Sequence, residues 1–208
     1  MDLAYTFTAG TDEAGYGAWA GPLCVAGVRT PVAWKPPLGL TDSKKLSEAQ
    51  RETLYVALTS DPSIVWMVRL VSAQQVDKQG VHTCLREAHE TIHRDLSWDI
   101  SGVRCVADGT LALQGGIESI PKADLTIPAV SAASIIAKVT RDREMVRLAE
   151  QFPDYAFERH KGYGVPVHEA ALRLHGPCAL HRMSYAPLRA FEKKPVNLLD
   201  LLSELPQE

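Results

Sequence analysis

Four carboxylates carry the chemical signal of this 208-residue chain. Asp12 and Glu13 are adjacent in Thr11-Asp12-Glu13-Ala14-Gly15-Tyr16-Gly17, Asp108 closes the apolar run Val103 to Ala107, and Asp124 stands just before a long helical pattern. They arrive from three separate segments, each at a strand end or a helix entrance, and the strands of one sheet can bring such ends together. Four carboxylates in one pocket repel one another, which raises some of their pKa values. Divalent cations relieve that repulsion, and hard Mg²⁺ or Mn²⁺ takes carboxylate and water oxygens. Two such ions roughly 4 Å apart can activate a water and stabilise the leaving oxygen at a phosphodiester. Plainer readings exist for each acid taken alone: an acidic hairpin turn for Asp12 and Glu13, an Asp-Gly turn for Asp108, a helix cap for Asp124.

The elements that must position these acids can be traced along the chain. A β-prone run, Tyr5 to Thr8, precedes the acidic pair, and a second, Leu23 to Val28, follows a Gly-rich turn, which predicts an opening hairpin. Asp12 and Glu13 are thereby expected where the first strand ends. Adjacent residues on a regular strand point to opposite faces. For both acids to serve one site, the strand must break there, or Glu13 must also act through its backbone carbonyl. Gly15 and Gly17 permit such a break. Pro31 to Pro37 reads as a loop. Ser47-Glu48-Ala49-Gln50 has the form of a capping box and predicts a helix from Glu48 to about Thr59. Ile64 to Val71 is a strand candidate. Ser72 opens a helical stretch, interrupted near Gly80, to about Leu96, and Val103 to Ala107 is a short strand.

The segment 110–121 carries no clear pattern. Pro128 to Gln151 reads as a helix with proline in its first turn. Its apolar stripe is Ala132, Ile136, Val139, Val146 and Ala149. Ser131, Ser134, Lys138 and Arg141 form one polar face, either lining a substrate groove or simply facing solvent. A further helix is expected over Pro166 to Leu174, and the leucine-rich tail from Val196 to Leu205 suits a short docking helix. Strands alternating with helices, opened by a hairpin, predict an α/β architecture with a mixed sheet.

Net charge is −3, so whole-chain charge does not argue for a nucleic-acid partner. Residues 138–194, however, hold eleven basic side chains against seven acidic ones, enough for a local anion-binding face or a merely solvated one. Cys24, Cys84, Cys105 and Cys178 are scattered without metal-ligand spacing, and they are expected to be reduced, in a cytoplasmic protein. No stretch is apolar and long enough for a membrane span.

The motifs, taken together, closely resemble the ribonuclease HII family of type 2 ribonucleases H. The resemblance rests on Asp12 through Pro22, Asp42-Ser43-Lys44-Lys45-Leu46 and Ala107-Asp108-Gly109. It continues through Lys122-Ala123-Asp124 into Ala132 to Asp142, His160-Lys161-Gly162-Tyr163-Gly164, and Gly176 to Tyr185. It covers about residues 8–190. It implies a ribonuclease H-like fold, a mixed central sheet flanked by helices with a small helical C-terminal part. Residues 1–160 would be the catalytic core and 161–208 a substrate-binding extension, together one structural unit. It also implies hydrolysis of the RNA strand of RNA–DNA hybrids, cutting 5′ of ribonucleotides embedded in duplex DNA, and a monomer. Asp12, Glu13, Asp108 and Asp124 fill the places of the catalytic and metal-binding carboxylates. Ser43, Lys44 and Lys45 fall where the family grips phosphates, and Ser134 and Lys138 are substrate-binding candidates on the stripe that either lines the hybrid groove or faces solvent. Tyr163 falls where an aromatic ring packs on the sugar of the RNA-to-DNA junction. Gly15, Tyr16 and Gly17 form the turn that reads the 2′-hydroxyl. Two positions depart from the pattern: Tyr16 stands where the family has arginine or lysine, and Ala123 replaces a glycine. A competing reading is therefore a hybrid-binding protein with catalysis weakened at Tyr16. A DNA-directed nuclease of the same fold is disfavoured by the glycines and Tyr163.

Overall fold

The computed structural model describes residues 5–191. Five strands form one mixed sheet in the order β3-β2-β1-β4-β5. β1 (Phe7–Ala14) and β2 (Leu23–Pro31) make the antiparallel opening hairpin, and β3 (Val65–Val71) pairs antiparallel on the far side of β2. β4 (Val103–Asp108) lies parallel to β1, and β5 (Glu118–Ile120) lies parallel to β4 at the edge. β1 is thus central and paired on both sides.

Of the two alternatives for the acidic pair, a break in the strand does not occur. β1 runs through both acids, with Asp12 opposite Ala26 and Glu13 opposite Val25. Pairing on both flanks holds this polar, glycine-containing stretch extended against its weak intrinsic β-preference. β2 likewise continues to Pro31, into the expected loop.

α1 (Glu48–Thr59) begins with the expected capping box, in which Ser47 and Gln50 satisfy each other's backbone amides. α2 (Ala73–Gln79) and α3 (Val81–Ser97) are separated at Gly80, whose φ of 82° needs glycine. α4 (Pro128–Gln151) has the expected bounds. A single turn, α5 (Phe157–His160), and α6 (Pro166–His175) complete the helices of four residues or more in the α conformation among the described residues. The tail helix expected over 196–205 lies outside them.

The strand alternation sorts the core onto two faces. Leu23 and Val25 pack with Ala9 against Leu85, Ala88, Ile92 and Leu96 of α3. Cys24, Ala26 and Val28 pack with Ala14 against α1 and against Ala132, Ile135 and Ile136 of α4. Each fully buried leucine or isoleucine contributes about 1.5–3 kcal/mol. α4 lies directly on β1: a Cβ at Gly10 would sit 2.4 Å from the Val130 nitrogen. α4 is also buried nearly all round from Ala129 to Ala137. The apolar stripe read from the sequence was therefore too narrow, and its member Val146 is exposed. The polar stripe does not face solvent either: Ser131, Ser134 and Arg141 are buried. No helix among the described residues is long and apolar enough to cross a membrane.

Candidate active site

A cleft of about 450 Å³ opens at the C-terminal end of β1. β1 and its turn supply Asp12, Glu13, Gly15, Tyr16 and Gly17. Ser43 and Lys44 come from a short 3₁₀ turn, Ser134 and Lys138 from α4, and Tyr163 from the loop after α5. Lys45 is exposed and does not line the cleft. The 3₁₀ turn is anchored by Asp42, which accepts the Lys44 amide at 2.9 Å, and by Ser43, whose hydroxyl meets that of Ser134 at 3.0 Å.

Asp108 and Asp124 stand beside this cleft rather than in its lining. Asp108 ends β4, one residue past the last β1 pair, Thr11 with Ala107. Its carboxylate accepts the Ala123 amide at 2.7 Å, which ties the turn carrying Asp124 to the strand end. Ser131 donates to the Asp124 carbonyl at 2.6 Å. Lys122, not Ala123, takes the left-handed conformation in this turn, so alanine is accommodated at 123.

The acids sense one another. Burial raises Asp12 well above the usual carboxylate value, the charges of Glu13 and Asp108 add to the rise, and a hydrogen bond from Ser134 opposes it. Asp124 is raised by burial, then by Asp108 and Asp42, against the opposing charge of Lys44. As they stand, no three His, Cys, Asp or Glu side chains among the described residues converge on one point tightly enough to hold an ion. Glu13 leaves β1 on the α3 side, opposite Asp12, while still lining the cleft, and its Oε2 lies 3.5 Å from Nε2 of His89. Nδ1 of His89 meets the Thr11 hydroxyl at 2.7 Å, and that hydroxyl is 2.9 Å from Nε2 of His93. Burial, with His89 beside it, pushes the His93 imidazole down to about 3, so it is neutral.

Two buried arginines brace the glycine turn. The Arg141 side chain fills the space a Cβ would need at Gly15, whose φ is 88°, and donates to the carbonyls of Pro22 at 2.9 Å and Ala20 at 3.2 Å. Arg182 donates to the carbonyls of Gly15 at 2.7 Å and Tyr16 at 3.1 Å, and the Tyr185 hydroxyl donates to the latter at 2.6 Å. Gly17 needs neither a positive φ nor clearance: nothing lies within 4 Å of its Cβ position. Of the two glycines, Gly15 alone uses the positive φ and close approach that glycine permits. The Tyr16 side chain projects outward, its hydroxyl 3.1 Å from Nε2 of the exposed His82. Tyr163 is half-buried, its ring centroid 5.2 Å from the Arg141 guanidinium and 5.6 Å from the Lys138 ammonium. Lys138 also pairs with Asp142 at 2.8 Å.

Thr11, His82, His89, His93 and Arg182 were not singled out as a site from the sequence, and Arg141 was read only as part of a polar face. A signal existed for two of them: His89 and His93 are spaced i, i+4 among Leu85, Ala88, Ile92 and Leu96, which puts imidazoles on a buried face. His160, His168 and His181 instead pack together with Tyr155 and Phe157, away from the cleft.

A central strand carrying buried acid between an antiparallel and a parallel neighbour, with helices on both faces, places the chain among the ribonuclease H-like hydrolases. The family model for Ribonuclease HII matches residues 9–188. Ribonuclease HII of Sulfurovum sp. (strain NBC37-1) is 43% identical over 177 residues, 85% of this chain and 89% of the relative. Among solved structures, a chain of the PCNA:RNase HII complex from Archaeoglobus fulgidus is 30% identical with a TM-score of 0.72, over 86% of this chain and 95% of that one. Ribonuclease H2 from Pyrococcus horikoshii OT3 is 27% identical with a TM-score of 0.73, over 90% and 97%. The chain belongs to the ribonuclease HII family and is a type 2 ribonuclease H.

Proposed function

We propose that the protein hydrolyses the RNA strand of RNA–DNA hybrids and cuts 5′ of ribonucleotides embedded in duplex DNA, leaving 3′-hydroxyl and 5′-phosphate ends. The observation that carries this reading is the placing of four acids around neighbouring strand ends: Asp12 and Glu13 in the cleft at the end of β1, and Asp108 at the end of parallel β4, bonded to the Ala123 amide of the turn that carries Asp124. An all-oxygen, self-repelling donor set fits hard divalent cations, so Asp12, Glu13, Asp108 and Asp124 would hold two Mg²⁺ or Mn²⁺ ions. When bound, the ions supply an activated water and stabilise charge at the phosphodiester.

The remaining roles fall to this chain's own groups. Lys44 and Lys138 offer cations to phosphates on either side of the cleft, and Ser43 and Ser134 hold the 3₁₀ turn against α4. The Gly15 and Tyr16 carbonyls are already engaged by Arg182 and Tyr185, so reading a 2′-hydroxyl falls to the amides of that turn. Tyr163 offers a ring to the junction sugar, oriented by the two cations beside it. It comes from the segment after residue 160, which serves as the substrate-binding extension of a single structural unit.

A second reading, hybrid binding with weakened catalysis, is favoured by one observation: Tyr16 brings no charge to the cleft. Three duplexes separate the readings: one with a single ribonucleotide in DNA, one continuous hybrid, and one all DNA. Each is incubated with Mg²⁺, Mn²⁺ or EDTA. Metal-dependent cutting of the first two supports the nuclease. Tight binding without cutting supports the second reading, and cutting of the all-DNA duplex refutes both.

A further inference from the structure

Thr11 and Glu13 stand side by side on the α3 face of β1, the face opposite Asp12. Thr11, His89 and His93 are all at most 2% exposed. The helix face that receives them is otherwise apolar, formed by Leu85, Ala88, Ile92 and Leu96. Packing alone would be served by apolar side chains at positions 89 and 93, since burying polar groups costs free energy unless they are hydrogen-bonded. Here His93, Thr11 and His89 are hydrogen-bonded in a single line, and that line ends with Nε2 of His89 in a 3.5 Å charge contact with the Glu13 carboxylate.

Proton counting gives that line a direction. A hydroxyl has one proton, so Thr11 donates to one imidazole and accepts from the other. A carboxylate only accepts, so the His89 proton that serves Glu13 is the one on Nε2. Nδ1 of His89 then accepts from the Thr11 hydroxyl, which in turn accepts from Nε2 of His93.

We propose that His89, held by Thr11 and His93, is a positioning residue that keeps the Glu13 carboxylate on the α3 side of the strand end, oriented toward a divalent cation. This rests on the reading of Glu13 as a metal-binding carboxylate. Hydrogen-bond partners of metal-binding groups commonly control affinity or activity by about 10- to 100-fold.

The test uses the whole, metal-free protein. Mn²⁺ binding is measured by calorimetry without substrate, and kcat and KM are measured on the single-ribonucleotide duplex at fixed Mn²⁺. The variants are Thr11→Val, Thr11→Ser, His89→Leu, His89→Gln and Glu13→Gln, each checked by thermal melting. Thr11→Val and His89→Leu are expected to weaken Mn²⁺ binding about 10-fold and to lower kcat while KM for the duplex stays unchanged. Thr11→Ser, which keeps the hydroxyl, is expected to restore both. If His89→Leu does not fold, the Thr11 pair decides. Unchanged Mn²⁺ affinity and kcat in Thr11→Val overturn the proposal. Should Glu13→Gln weaken Mn²⁺ binding while Thr11→Val does not, only the positioning role is lost. Should Glu13→Gln itself leave binding and cleavage intact, the metal-site reading fails with it.

Discussion

Asp12 is held in a state its surroundings oppose. Its pKa in the fold is raised by burial and by neighbouring acids. The folded chain therefore binds this proton more readily than the unfolded chain, and stability declines as pH rises from the ordinary carboxylate range through the raised value. Without metal, burial and the neighbouring acids make ionised Asp12 unfavourable in the fold. Asp12→Asn is expected to raise the melting temperature in EDTA while removing cleavage by roughly 10³-fold, on the order of 4 kcal/mol of lost charge stabilisation. A melting temperature that falls, or cleavage that persists, contradicts the assignment. Tyr16 poses the converse case. Its backbone is fixed by Arg182 and Tyr185 and its side chain is 43% exposed, so a longer cationic side chain meets no packing obstacle. Tyr16→Arg is expected to raise kcat by up to roughly 10²-fold, from ~2–3 kcal/mol of added stabilisation. Kinetics on the single-ribonucleotide duplex check this, and an unchanged or lower kcat would mean that Tyr16 with His82 already serves the site.

The contact between α4 and β1 sets the geometry of the cleft. Gly10 lets the helix backbone rest on the strand, and one turn beyond Val130 this brings Ser134 over Asp12. Gly10→Ala pushes a methyl into helix backbone that cannot yield cheaply, and is expected to cost about 1–3 kcal/mol of stability. Denaturant unfolding measures the loss. Gly17→Ala is the control from the same region: with open space around it and no positive φ, it should leave stability unchanged. A raised KM in Gly17→Ala would then report a substrate backbone passing where the methyl sits. Equal destabilisation by the two substitutions would contradict the close-contact account of Gly10.

Across the whole molecule buried histidines contribute to the acid response. Burial pushes His93 down to about 3 and His181 to about 4, and it lowers His160 and His168 as well. The unfolded chain, with histidine near 6.5, takes up these protons first as pH falls, so stability present at neutral pH is lost between about 6.5 and 4. Asp12 and Asp124 act in the opposite sense, so the histidine effect is read in the Asp12→Asn variant. Its melting temperature in EDTA is expected to decline from pH 7 to 4.5. A rise over that range would contradict the histidine account.

Much of this was legible locally. Ser47 with Gln50 marked the start of α1, Pro128 and the periodicity marked α4 from end to end, and the spaced acidic and glycine motifs identified the family. These are signals that neighbours in sequence carry by themselves. The course of β1 was not such a signal, because Gly10 to Glu13 has little preference for a strand and becomes one through pairing with β2 and β4. β5, three residues long, is too short to show a pattern. The stripe from Ser131 to Arg141 looks the same in sequence whether it meets water or protein. Only in the fold does Arg141 find the carbonyls of Ala20 and Pro22, and Ser134 find Ser43. Sequence by itself determined which groups could do the chemistry and on which elements they ride. The tertiary structure alone decided which face each group meets and what it bonds there, because those partners come from segments more than 75 residues away whose approach is set by packing of the whole sheet.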